Sequence, residues 1–104
     1  LREYPDYPEV DPDEDPVAAS AWKTDPAYWQ AHLDYSLDGY RTTERERYAY
    51  LREWEKLSNP RPDMMNDVEY LSLRVSGECH RSGVLASLLR LHELGCPEPH
   101  PDLS

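Results

Sequence analysis

The sequence predicts an all-α fold, a small bundle of three to four helices with an extended, Pro-rich acidic N-terminal arm. Three observations carry this. Apolar residues recur at helical spacing in three segments between residues 25 and 96. Those segments open on Asp, Thr or Ser and close on Gly or Pro, the punctuation of helix ends. No pair of alternating apolar segments could form a sheet, and a lone strand is not stable. The expected division is an arm and connector over 1–24, a helical domain over 25–96 and an irregular tail over 97–104.

The arm, LREYPDYPEVDPDEDP, has prolines at 5, 8, 12 and 16 and neither helical nor alternating pattern. Proline fixes φ near the polyproline II value, a helix of three residues per turn. On that geometry Leu1, Tyr4, Tyr7 and Val10 share one edge, while Glu3, Asp6 and Glu9 share a second. The first edge is the candidate protein-binding site. The acidic run that follows is expected to be a solvated spacer, and residues 17–24 a short connector containing Trp22.

Asp25-Pro26 opens a helix, with Asp as N-cap and Pro where its missing N–H costs nothing. Trp29, Leu33 and Leu37 give it one apolar face, and Gly39 is its expected end. His32 lies beside that face, where a lone histidine is expected to make an ordinary hydrogen bond. Thr43 and Glu46 have capping-box spacing and predict a second helix. Its apolar stripe is Tyr50/Leu51, Trp54 and Leu57, opposite a face of mixed charge, and residues 58–62 end it.

The stretch from Pro62 to Pro97 is the longest without proline and holds most of the aliphatic side chains, so it is expected to supply most of the core. Met64, Val68, Leu71 and Val75 follow helical spacing. Ser82 caps an apolar helix through Leu94 that Gly95 closes. Each glycine costs about 1 kcal/mol in a helix interior, so a break over Gly77–Gly83 is favoured slightly over one long helix. Ser76, Cys79, Gly83 and Ala86 also form a stripe of small residues that would let another helix approach closely.

Composition narrows the function classes. With 104 residues the chain allows one domain and a modest core. Twenty-one acids against 11 Lys and Arg give a net charge of −10, and residues 1–16 hold seven acids against Arg2. Direct nucleic-acid binding, which needs clustered cations, is not expected. Nor is insertion into a membrane, since no window approaches the roughly 18 apolar residues of a spanning helix. No signal-like segment opens the sequence, so an intracellular setting is the default.

Chemistry is sparse. Cys79, His92 and Cys96 have spacing similar to the last three ligands of a zinc finger of the Cys-Cys-His-Cys class. The upstream cysteine is missing, because positions 74–76 are Arg, Val and Ser. A structural zinc site needs its fourth ligand, so no metal or other cofactor is expected. A Cys79–Cys96 disulfide would have to span a helix of roughly 17 Å, and small buried thiols are the simpler expectation. Cys79 and His80 point about 100° apart on a helix, and nothing supplies an orienting third group for Cys96 with His92 or His100. The chain is therefore not expected to be an enzyme.

Eight Tyr and three Trp, many flanking the core, favour an interface protein. The expected function is a non-catalytic small subunit or adaptor that binds a larger protein partner through the arm and a helical face. The alternative is an acidic nucleic-acid mimic that occupies the basic groove of a nucleic-acid-binding protein.

Overall fold

The computed structural model describes residues 3–56 and 66–103, and among these it is all-α, with no strand. A one-turn helix α1 (Pro16–Ala19) and a 3-10 turn (Ala21–Thr24) lead into two long helices, α2 (Pro26–Glu55) and α3 (Val68–Glu93). The particle is elongated, 61 × 32 × 21 Å.

Aspartates start the helices. Asp15 accepts the Ala18 amide at 3.0 Å, Asp25 that of Ala27 at 3.0 Å, and Asp67 that of Tyr70 at 3.1 Å. Pro16 and Pro26 follow their caps directly, so an amide that would have no helical partner is absent. At the far end of α3, Gly95 takes φ 77°. The Cys96 amide then reaches back to the Leu91 carbonyl at 2.8 Å, a closure that needs a residue without Cβ strain.

Two expected breaks do not occur. Gly39 does not end a helix, and Thr43 does not start one: α2 runs through both for 30 residues. Gly77–Gly83 is not a turn, and Ser82 is not a cap: α3 is a single helix of 26 residues beginning at Val68. The physical reason lies between the helices. A side chain at Gly39 would run into the His80 ring, and one at Gly83 would sit 2.5 Å from Ser36 Oγ. Each glycine makes room for the facing helix, and that close approach offsets the roughly 1 kcal/mol helical cost.

The pairing is antiparallel. His32 meets Ser87, Ser36 meets Gly83, Gly39 meets His80, Thr43 meets Gly77, and the Tyr50 hydroxyl donates to Asp67. Thr43 is buried, its hydroxyl donating to the Gly39 carbonyl at 2.8 Å. The buried apolar residues are gathered at one end, where Trp29 and Leu33 meet Val84, Leu88 and Leu91, with Trp22, Tyr28, Leu37, Leu94 and Leu103 packed around them.

Among the described residues α3 supplies three of the five buried apolar side chains, Val84, Leu88 and Leu91, as expected of this stretch, but many of its other aliphatics lie at the surface. Val68 is 78% exposed, Val75 63%, Leu89 59% and Leu85 47%. In the small-residue stripe only Gly83 faces α2, while Ser76, Cys79 and Ala86 are exposed. Leu57, Met64 and Met65 lie outside the described residues. The tail is irregular and folds back along the pair: the Tyr40 hydroxyl donates to the Leu103 carbonyl at 2.9 Å, and the His100 ring stacks on His92 at 6.1 Å.

Candidate functional site

The arm lies against its own helix. The Tyr4 ring stands edge-on to His32 at 5.4 Å and to Tyr35 at 5.1 Å, and Tyr7 meets Tyr28 edge-on at 5.9 Å. Val10 continues the row and, with Pro5, Tyr7, Ala19, Trp22 and Tyr28, lines an open cleft of about 360 Å³. Leu1, the fourth residue of the expected edge, lies outside the described residues.

This seating follows from two matched periods. One turn of a polyproline II segment advances about 9 Å in three residues. Six residues of an α-helix also advance about 9 Å, close to the separation between the His32/Tyr35 pair and Tyr28. Tyr4 and Tyr7 therefore each find an aromatic partner without bending the arm. Glu3, Asp6 and Glu9, on the second edge, are all exposed.

Beneath the arm the aromatic packing continues. Trp22 sits 5.1 Å from Tyr28 and 5.8 Å from Trp29, whose indole N–H donates to the Lys23 carbonyl at 3.0 Å. His32 packs between Tyr4, Tyr28 and Trp29. Its Nδ1 lies 2.7 Å from Ser87 Oγ, and that hydroxyl donates to the Gly83 carbonyl at 2.8 Å. A hydroxyl has one proton to give, so His32 Nδ1–H is the donor to Ser87. This is a structural bond, not a nucleophile–base pair, because Ser87 is wholly buried and its proton is already committed.

Burial disfavours charge here. It lowers the His32 pKa below its ordinary 6.5. It also pushes Tyr28 up to about 12, helped by the hydrogen bond and charge of the neighbouring Tyr4 hydroxyl. Tyr7 is raised too, by burial first and then by the Asp25 carboxylate.

The histidine shift fixes a sign. A folded pKa below the unfolded value means the unfolded chain binds more protons between the two, so stability rises with pH across that interval. His32 should therefore contribute full stability above about pH 6.5 and lose it as pH falls from there through its depressed folded value, below which the contribution changes no further. Urea unfolding between pH 5 and 7 checks this: stability should climb with pH, and His32→Gln should flatten the climb. An equal slope in the variant would remove His32 as the cause.

The zinc-finger spacing does not close into a site. Cys79 and His92 lie on the same helix, about 20 Å apart along its axis, and among the described residues no three His, Cys, Asp or Glu are grouped to hold a metal ion. Cys79 and Cys96 are free and exposed, which corrects the expectation of buried thiols. No helix among the described residues is long and apolar enough to cross a membrane.

No protein-family model, curated protein or solved structure matches the chain. The site stands on its geometry. Tyr4, Tyr7 and Val10 were legible from their three-residue spacing, and the structure places all three in one row. Their seat was missed, although Tyr28, His32 and Tyr35 recur at helical four-three spacing on the face of α2 beside the buried seam.

Proposed function

We propose that the chain is a non-catalytic small subunit or adaptor that binds a larger protein partner through the arm and the helical face beside it. The observation that carries this reading is the row of Tyr4, Tyr7 and Val10 set on Tyr28, His32 and Tyr35, with Tyr4 still 55% exposed. Tyrosine brings apolar area and a polar tip together, which suits it to an interface. An arm already laid against α2 loses less freedom when a partner covers it than a free tail would. The exposed Glu3, Asp6 and Glu9 beside the row favour a partner with a cationic rim, which would speed encounter.

The test is purification of the tagged chain from its source cells, in parallel with two variants. Tyr4→Ala with Tyr7→Ala should weaken capture of the partner strongly, each ring contributing on the order of 1–2 kcal/mol. Neutralising Asp13, Glu14 and Asp15 should matter less and mainly at low salt, since exposed charges are screened beyond about 10 Å. The reverse order, with charge removal severe and tyrosine removal mild, would replace this reading with the nucleic-acid mimic. Because both rings pack on α2, the tyrosine variant should also lose a little stability, so its fold is checked by its helical spectrum.

A further inference from the structure

We infer that the outer face of α3 pairs with the same face of a second copy of this chain, antiparallel, about a two-fold axis passing between Cys79 and Ser82. Val68, Ser72, Val75, Cys79, Ser82, Ala86 and Leu89 recur at alternating four- and three-residue steps. That is the spacing of a coiled-coil seam. They lie on the opposite side of α3 from Gly77, Val84, Ser87 and Leu91, which face α2 or the core. Its three large members, Val68, Val75 and Leu89, can fill space between helices yet stand more than half exposed, and the other four are small. No charge interrupts the row from Val68 to Leu89.

Charge chooses the occupant. The chain as a whole is strongly acidic, but α3 carries Glu69, Glu78 and Glu93 against Arg74, Arg81 and Arg90. The helix is therefore locally neutral, and a second copy of this otherwise acidic chain meets no local charge repulsion along it. Charge also chooses direction and register. With Cys79 set on Ser82 of the second copy, Val75 meets Ala86 and Ser72 meets Leu89, while at each outer end Val68 meets Glu93, the half-exposed last residue of α3, whose carboxylate stays in water. Glu69 then flanks Arg90 of the second copy, and by symmetry the pair forms twice. A shift of seven residues either way leaves both charges unmatched, and a parallel arrangement sets Glu78 against Gly83 and Leu85 against Arg90. Within one chain Arg90 pairs with the exposed Glu93 at 3.2 Å, a contact it can exchange. The small central residues let the helix axes approach to about 8 Å.

This pairing uses the side of the molecule away from the arm and stands independently of the adaptor reading. Sedimentation of the full chain should give twice the mass of one chain. Val75→Glu would bury an unpaired carboxylate and should weaken the dimer at least tenfold, with an unchanged helical spectrum because Val75 is exposed. Register is tested by oxidising a mixture of two chains, both Cys96→Ser, one keeping Cys79 and the other carrying Cys79→Ser with Ser82→Cys. Disulfides should join unlike chains. A monomer at the highest soluble concentration, a dimer indifferent to Val75→Glu, or disulfides between like chains through Cys79 would each overturn the proposal. Tyr4→Ala with Tyr7→Ala should leave the dimer intact, so the failure of one reading is distinguishable from the failure of the other.

Discussion

Leu91→Ala is expected to cost about 3 kcal/mol, the usual range for a buried leucine being about 2–5. Leu91 is 1% exposed and belongs, among the described residues, to a core of five buried apolar side chains, with Trp29, Leu33, Val84 and Leu88. A cavity in so small a cluster has few neighbours able to close it. Total stabilities of single domains are about 5–15 kcal/mol, so the loss should lower the urea midpoint markedly and can leave the variant partly unfolded at ambient temperature. Leu89 supplies the control. It lies two residues away on the same helix, also aliphatic, but 59% exposed. At concentrations where the chain is monomeric, Leu89→Ala should cost about 0.5 kcal/mol or less. Equal losses at the two positions, followed by the helical signal in urea, would mean that α3 presents a different face to α2.

That contrast marks where the sequence stops being informative. Val68, Val75, Leu85 and Leu89 match Val84, Leu88 and Leu91 in residue type, so α3 is apolar on more than one side, and periodicity alone does not say which side meets α2. The deciding residues are small or polar. Ser36, Gly39 and Thr43 on α2, with Gly77, Gly83 and Ser87 on α3, form much of the seam, and a search for apolar stripes passes over all six. Helix starts were legible at Asp25-Pro26, and the end at Gly95, because caps are set by a few adjacent residues. Gly39 and Gly77 were not, and Gly83 could be read both ways, because a glycine that ends a helix and one that admits a neighbouring helix look alike until the neighbour is known.

The arm divides in the same way. The edge of Tyr4, Tyr7 and Val10 follows from local stereochemistry that proline imposes. Its seat depends on residues more than 20 positions further on, where Tyr28, His32 and Tyr35 wait at a matching rise. His32 was expected to make one ordinary hydrogen bond, and it does so with Ser87. Its position beneath Tyr4 carries no signal of its own in the sequence.

Gly83→Val is expected to be the most damaging change at the seam. A Cβ at Gly83 would stand 2.5 Å from Ser36 Oγ, 3.3 Å from Ser36 Cβ and 3.4 Å from His32 Cε1. Ser36 is 2% exposed, and its Cβ is fixed to the backbone of α2, so a rotamer change relieves only the first contact. The helices must part locally. That strains the His32–Ser87 bond and loosens Val84, the fully buried neighbour of the substituted position. Overpacking of this kind costs about 1–3 kcal/mol, and the better helix propensity of Val recovers only a few tenths. A net loss of about 2 kcal/mol in urea unfolding is expected. Two companion substitutions set the scale. At Gly39 the obstacle is the half-buried His80 ring, the end of a side chain that can swing outward, so Gly39→Ala should be near neutral. At Gly77 the nearest atom is Thr43 Cγ2 at 3.5 Å, an ordinary contact, so Gly77→Ala should stabilise the helix by about 0.5–1 kcal/mol. The expected order of stability is therefore Gly77→Ala above the parent chain, Gly39→Ala beside it and Gly83→Val well below. A neutral Gly83→Val together with a damaging Gly77→Ala would show that α3 is rotated from the pairing described.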